Sequence, residues 1–382
     1  MLNINKQIGI TYVDYSPAFF KRTINNYKYG YYRDIMALHE QAEMDSHVMG
    51  CTEGRQDGYK TSWRVTEISQ SKNDMAIKDF VEAVFMELDM NDIFDFIHAA
   101  RLKEFSVLDF TWEVINSKQW LTKIDNPNQK YFRRDVTGDN KIKLDAKSGL
   151  QEIPPDSALV CESIKIPLMI PVDRDFILKE FGIETFASFL ENFGEGFIIG
   201  TYPPGASEAM KRELDEAVNA IGASSRGIKP EGTKIEIIES TKGTTTHKEF
   251  IEMAKAGIAV TLLGHENAVV NASGLQVGNN QSPYNAARAK VISDINFIEK
   301  WIYKLIKILV DRNFSDVKKY PMFSIDRSEP IDSTKRLAII DSAYAKGYEV
   351  SADEYAKLGL IKSDTQEPFL KRDFNNPADT GF

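Results

Sequence analysis

Apolar residues recur along the first 172 positions with two periods, one of three to four residues and one of two. The longer period is typical of amphipathic helices, and the shorter one of half-buried strands. The predicted helices are 33–51, 76–88 and 92–103, and the predicted strands are 61–68, 106–115 and a hairpin over 131–144. The pattern therefore predicts mixed α and β structure.

Four prolines at positions 154, 155, 167 and 171 end this alternation and indicate a boundary. After them, Asp173 is predicted to cap a helix that ends at Gly194. A second helix is predicted from Thr246, whose hydroxyl forms a capping box with Glu249, to Gly264. Two long helices thus flank the segment 195–245.

The segment between these helices has the pattern of a small β-α-β unit. Strands are predicted over 197–202 and 233–239, on either side of a helix capped by Ser207 and closed by Gly222. About 50 residues are too few for a stable domain of their own. We therefore expect an insert that depends on the two helices.

A polar loop over 267–281, rich in Asn, Gly, Ser and Gln, precedes the longest predicted helix. That helix begins at Ser282-Pro283, with serine as the cap and proline as the first helical residue. Its apolar seam is Val291, Ile295, Ile298, Ile302, Leu305 and Leu309. The heptad spacing fits either intramolecular core or a contact between subunits.

The 382-residue chain is acidic, with a net charge of −9. Proteins that grip DNA tightly usually carry a basic surface, so any contact with DNA is expected to be loose and independent of base sequence. No apolar run is long enough to span a membrane. The two cysteines are far apart, which favours reduced thiols.

The residue patterns of catalytic and metal sites are missing. No glycine-rich loop ends in Gly-Lys-Ser/Thr, and no two of the five histidines stand at zinc-ligand spacing. Asp135, Asp139 and Asp145 suit a hairpin turn better than a calcium loop. We expect no enzymatic activity, no metal and no cofactor.

Several short motifs, taken in order, carry a resemblance to a known family. Residues 186–194 read Phe-Ala-Ser-Phe-Leu-Glu-Asn-Phe-Gly and precede a predicted strand over 197–202. The next motifs are the predicted helix 213–222 and the predicted strand 234–239. The last motif is the helix end 257–264 with the polar loop after it. Upstream, 44–48 and 112–114 also fit. This order resembles phage portal proteins, the Mu-like portal family in particular, over roughly residues 31–361.

The resemblance implies an α+β portal fold with a wing, a two-helix stem, a small αβ clip, a tunnel loop, a long wing helix and a short helical crown. The implied segments are wing 1–172, stem helix 173–194, clip 195–245, stem helix 246–264, tunnel loop 265–282, long wing helix 283–328, and crown with C-terminal tail 329–382.

The resemblance also implies a function. Portal subunits form twelvefold rings at one capsid vertex, and double-stranded DNA is packaged and ejected through the ring. The implied partners are further copies of the chain, the terminase large subunit, the major capsid and scaffold proteins, and a head–tail adaptor. The implied locations are the virion and, during assembly, the host cytoplasm. The alternative is a ring-forming connector of a tail-like particle with no DNA in its bore, and contact with DNA discriminates the two.

Three groups of residues are the candidate sites. The loop residues expected to face DNA are Asn271, Ser273, Gly274, Gln276, Gly278, Asn279, Asn280 and Gln281. Lys255, Arg288 and Lys290 are candidate phosphate contacts, because the region 241–310 has eight Lys/Arg against five Asp/Glu; a solvated helix face is the alternative. Lys211, Arg212 and Arg226 are the candidate motor-docking residues of the clip.

Overall fold

The computed structural model describes residues 13–14, 16–193, 197–224, 233–238, 241–266, 281–327, 340–342 and 345–346. The chain divides into two compact units, Met1–Arg327 and Ser328–Phe382. The first unit contains every helix and strand named below. The C-terminal helices expected beyond residue 333 fall almost entirely outside the described residues.

Nine helices are labelled in chain order within the described part. They are α1 Pro17–Lys28, α2 Arg33–Glu43, α3 Ser46–Gln56, α4 Lys72–Glu87, α5 Met90–Lys103, α6 Met169–Phe193, α7 Glu208–Ser224, α8 Thr241–Leu263 and α9 Gln281–Asp311. A short 3₁₀ turn covers Gln129–Tyr131.

The strands form four small antiparallel sheets. They are β1 Trp63–Thr66, β2 Phe105–Ile115, β3 Lys118–Asp125, β4 Phe132–Arg134, β5 Ile142–Ala146, β6 Gly149–Gln151, β7 Ala158–Glu162, β8 Phe197–Thr201, β9 Lys234–Ile238 and β10 Met322–Ile325. The sheet orders are β1-β10, β3-β2-β7, β4-β5-β6 and β8-β9. Strand β10 follows α9 and returns to β1, so the long helix is tied to the N-terminal part.

The single helix predicted over 33–51 is wrong, because the chain forms two helices there. Asp45 interrupts the helix and caps α3, since its Oδ1 accepts hydrogen bonds from the backbone N–H groups of His47 at 3.2 Å and Val48 at 3.1 Å. The apolar period continues across this break, which is why the periodicity alone did not show it.

Both long helices around the insert begin earlier than predicted. Helix α6 starts at Met169, and Pro171 is accommodated in its first turn, where a backbone N–H has no intrahelical partner anyway. Asp173 is therefore not its cap; it is buried, and His39 Nδ1 lies 2.7 Å from its Oδ2. Helix α8 starts at Thr241, five residues before the predicted Thr246 cap.

The end of α8 agrees with the sequence prediction. Gly264 has φ +88°, a left-handed conformation in which glycine has no steric penalty, and its N–H donates to the Val260 carbonyl at 3.0 Å. The helix thus ends where the polar loop was expected to begin.

The heptad seam of α9 is intramolecular core. All its residues from Ile295 to Leu309 are at most 2 % exposed, and Val291 packs partly buried against the same cluster. Each fully buried side chain of this type contributes roughly 1.5–3 kcal/mol. The core places α9 against α4, α5 and the β1-β10 and β3-β2-β7 sheets. Helix α9 therefore lies at the centre of this hydrophobic core.

A second core joins α1, α2 and α3 to the first half of α6, the last turns of α8 and the β4-β5-β6 sheet. Helices α6 and α8 then continue side by side beyond it. Two glycines allow their close packing: a Cβ at Gly257 would lie 2.3 Å from Asp175 Oδ2, and one at Gly182 would lie 2.9 Å from Phe250 Cδ1. The strands β8 and β9 and helix α7 connect the far ends of this helix pair.

Candidate functional site

A buried ion pair joins the last turn of α8, which precedes the polar loop, to the middle of α9, which follows it. Arg55 of α3 contacts Asp294 of α9 through two bonds, Nε to Oδ2 at 2.6 Å and Nη2 to Oδ1 at 3.0 Å. Its Nη1 donates to the Leu262 carbonyl at 2.5 Å. That carbonyl lies in the last turn of α8, where carbonyl groups have no intrahelical partner and a cation is favoured by the helix dipole. One guanidinium therefore fixes the end of α8 relative to α9.

Two further side chains of α5 complete this cluster. Arg101 Nη1 lies 2.6 Å from Asp294 Oδ1, and His98 Nε2 lies 3.3 Å from Asp294 Oδ2. Burial would raise the pKa of Asp294, but His98 and Arg55 outweigh it and hold that pKa well below its usual range. Burial lowers the pKa of His98, against the opposing effect of Asp294, which keeps the imidazole neutral at pH 7.

Close backbone contacts near the Arg55–Asp294 pair also join α3 and α8 to α9. A Cβ at Gly58, just beyond α3, would lie 2.6 Å from a Val291 methyl carbon. A Cβ at Gly264 would lie 3.2 Å from Lys290 Cε and 3.4 Å from the Ala286 carbonyl oxygen. The end of α8 and the first third of α9 are therefore packed closely against each other.

The base of the α6–α8 pair has its own polar contacts. Lys179 of α6 pairs with Asp45 and, at 2.9 Å, with Glu180. His47 Nε2 lies 3.0 Å from the Lys255 carbonyl oxygen of α8. These contacts tie both long helices to α3, and the contact between His39 and Asp173 ties α6 to α2.

The small module at the far end of the helix pair agrees with the predicted β-α-β unit. Strand β8 pairs antiparallel with β9, from Phe197 opposite Ile238 to Thr201 opposite Lys234. Helix α7 packs on β8, because a Cβ at Gly200 would lie 2.9 Å from Val218 and 3.0 Å from Leu214. Ser207 caps α7 through the Met210 N–H at 3.3 Å, as predicted, although the helix passes Gly222 and ends at Ser224.

The helix pair exposes large apolar side chains along its length. They are Phe181 at 47 %, Ile183 at 43 %, Leu190 at 46 %, Met253 at 59 % and Val260 at 48 %. The single chain leaves these apolar side chains in contact with solvent.

The candidate phosphate contacts are not gathered into one group of free cations. Lys255 pairs with Glu252 at 2.9 Å. The Arg288 Nη2 donates to the Arg327 carbonyl at 2.6 Å. Lys290 lies beside Gly264, at the base of the loop.

The structure describes only some of the candidate motor-docking and loop residues. Lys211 pairs with Glu208 at 2.6 Å and lies over the Tyr202 ring, while Arg212 is exposed. Gln281 is the first residue of α9 and not part of the loop. Arg226 and the loop residues from Asn271 to Asn280 lie outside the described residues.

Sequence reasoning missed the Arg55–Asp294 cluster. One signal was present: Asp294 interrupts the apolar seam of α9 beside Ile295, and a carboxylate at such a position needs a buried partner. Across the described ranges, no group of three potential ligands suits a metal ion, and no helix is both long and apolar enough to cross a bilayer.

Residues 36–360 match the family described as the portal protein of Mu bacteriophage. The Mu-like prophage FluMu protein gp29 of Haemophilus influenzae is 25% identical over 210 residues, covering 53% of this chain and 40% of that protein. The portal protein of Escherichia phage Mu is 32% identical over 90 residues, covering 23% of this chain and 18% of that protein. The matched regions thus span less than half of either relative.

A solved structure shows the fold. A chain in the virion of a native gene transfer agent particle superposes with a TM-score of 0.58 at 10% identity, covering 91% of this chain and 100% of that chain. The expected α+β portal fold is thereby confirmed. Because the family match extends over most of the sequence, the chain belongs to the family of Mu-like phage portal proteins.

Proposed function

We propose that this chain is the ring-forming subunit of a phage portal, through which double-stranded DNA enters and leaves the capsid at one vertex. The observation that carries the proposal is the family match over residues 36–360. The proposed ring is twelvefold. Its proposed partners are the terminase large subunit, the major capsid and scaffold proteins, and later a head–tail adaptor. It acts in the virion after assembly in the host cytoplasm, as a structural part without catalysis.

The parts of the chain have distinct proposed roles. The helices α6 and α8 are the stem, the module from β8 to β9 is the clip, and α9 with residues 1–168 is the wing. Residues 329–382 are the crown and tail. This division keeps the expected order, with the stem helices extended to Met169 and Thr241.

The apolar surface of the stem supports a ring. Five large side chains there are at least 43 % exposed in the single chain, which is unfavourable for a soluble monomer. Neighbouring subunits that pack side by side would cover them. Head-to-tail contacts of this kind close into a ring when the rotation between copies divides a full turn.

The close packing of α3, α8 and α9 near the polar loop supports contact between that loop and moving DNA. Arg55 and the two close glycine contacts hold the helix ends, so loop movement would not disturb the core. A loop of small polar residues in an acidic chain can touch phosphates without gripping them. Among the proposed phosphate contacts, Lys290 has the position that best suits this role, because it lies at the loop base.

The exposed end of the clip is the proposed docking surface for the motor. Arg212 is exposed on α7, and Lys211 is held near it by Glu208. Charges on the rim of an interface mainly affect the rate of association and its salt dependence. We therefore assign Lys211, Arg212 and Arg226 to steering of the terminase and not to ring formation.

A packaging reaction tests the proposal. Capsid precursors assembled with the chain, and supplied with terminase and ATP, should protect DNA from nuclease, whereas precursors assembled without it should protect none. Equal protection in both preparations would contradict a portal role.

A further inference from the structure

Three lysines form a stripe on the outer face of α9. Lys300, Lys304 and Lys307 are spaced by four and three residues, so they share one face of the helix over about 10 Å. None of them forms an ion pair with any described residue. Like charges at this spacing destabilise a helix. A stripe of this kind in an acidic chain suggests a partner outside the chain.

Aromatic rings hold these lysines against the surface. The Lys304 Nζ lies 3.7 Å from the centroid of the Trp301 ring, and the Lys307 Nζ lies 4.7 Å from that of Tyr303. Burial, followed by the like charge of Lys300, lowers the pKa of Lys304. The stripe is therefore pre-ordered, which reduces the entropy cost of binding an anionic partner.

A groove with apolar and charged lining adjoins the lysine stripe. Its volume is about 480 Å³, and it lies between α9 and the edge strand β7. The apolar lining residues include Ile308 of α9 and, on the opposite side, Ile153, Pro155 and Leu159. The charged lining residues have partners of their own, since Arg312 pairs with Asp156 at 3.4 Å and Asp311 accepts a hydrogen bond from the Tyr320 hydroxyl. Because Ile308 follows Lys304 by four residues, groove and stripe form one continuous surface.

The turn between α4 and α5 carries an exposed apolar side chain and two carboxylates, which complement the groove and the lysines. Met86 is 68 % exposed there, and Glu87 and Asp92 are exposed beside it. No ion pair is formed by either carboxylate within the described part of the chain. Met86, Glu87 and Asp92 are not among the residues that line the groove. The two surfaces thus share no residue.

We propose that the α4–α5 turn of one copy docks on the lysine stripe and groove of the next copy in the ring. Met86 enters the groove, and Glu87 and Asp92 face the lysines. The contact uses a different surface on each copy, as a closed ring requires. This inference rests on the proposed ring function and assigns one of its interfaces.

Charge reversal provides the test. The stripe variant combines Lys300→Glu with Lys307→Glu, and the turn variant combines Glu87→Lys with Asp92→Lys. Lys147→Glu with Lys318→Glu is the matched control, because both lysines are exposed and lie outside either surface. Thermal melting first shows that each variant folds, and mass photometry then gives the fraction of chains in rings.

Each single-surface variant should raise the protein concentration for half-assembly on the order of tenfold or more, since like charges then face each other. The control should assemble as the unmodified chain does. An equimolar mixture of the stripe and turn variants should recover rings, because alternating copies restore opposite charges at every contact. A chain carrying all four reversals should recover them too.

Two results would overturn the inference. One is normal assembly of both single-surface variants. The other is failure of the mixture and of the fourfold variant to recover rings when all of them are folded. If the unmodified chain itself forms no rings, the proposed function fails as well, which separates that case from the first two.

Discussion

Among single residues, Asp294 has the largest expected effect on stability, because it compensates two buried guanidinium groups. Removing one partner of a buried pair leaves an uncompensated charge, which costs about 3–5 kcal/mol. We expect Asp294→Ala to lower the free energy of unfolding by about that amount. Urea denaturation measures it. Lys300→Ala on the same helix is the control, with an expected change within about 0.5 kcal/mol. Similar stabilities of the two variants would contradict the role of Asp294.

The buried imidazole of His98 predicts a pH dependence of stability. Its pKa is lower in the folded chain than the usual 6.5, so the unfolded chain binds the proton first as the pH falls. Stability is therefore lost as the pH falls below about 6.5, by at most about 1.4 kcal/mol per pH unit for one proton. Asp294 adds a loss of the same sign at still lower pH, because its folded pKa is also depressed.

The measurement is urea denaturation of the unmodified chain and of His98→Asn between pH 7 and 5. The slope of unfolding free energy against pH should be smaller in the variant. Other groups with shifted pKa values, such as Asp173, are common to both chains and cancel in the comparison. Parallel slopes would show that His98 does not titrate as its burial indicates.

Among the elements, the contact between Gly58, just beyond α3, and Val291 of α9 leaves the least space for an added side chain. Gly58→Ala would press a methyl group against Val291, a stiff side chain, and we expect a loss of about 1–3 kcal/mol. Gly54→Ala, inside α3 and with nothing within 4 Å, should instead gain about 0.5–1 kcal/mol. Thermal melting of the pair measures both. A gain at both positions would mean that α3 and α9 are less tightly joined.

The sequence predicted those elements whose signals are local. The cap at Ser207, the glycine stop at Gly264 and the heptad seam placed α7, the end of α8 and the core face of α9. The remaining element boundaries depend on tertiary contacts. Helix α6 begins four residues before Asp173, and the contact of Asp173 with His39 is one that no pattern around Asp173 reveals.

The site was harder to predict than the fold. Arg55 and Asp294 are 239 residues apart in sequence, so their pairing follows only from the packing of α3 on α9. The candidate phosphate contacts were chosen from local charge, but two of the three have intramolecular partners. Local charge does not reveal which cations the fold already uses.

For the whole molecule, the polar loop should be dispensable for folding and required for function. We expect a chain that joins Glu266 to Ser282 through a few glycines to keep its melting temperature within a few degrees. The reason is that Arg55 and Gly58 fix the helix ends independently of the loop, and a shorter loop costs little closure entropy. Rings of this variant should package or retain less DNA, measured as nuclease-protected DNA in assembled heads. Normal packaging and retention would contradict contact between loop and DNA.

Whether the chain forms a ring decides the proposed function, and negative-stain electron microscopy of the purified chain answers that question. We expect closed rings with a central hole wide enough for a DNA duplex, and twelvefold symmetry in class averages. Particles of single chains at every protein concentration, with or without scaffold protein, would contradict it.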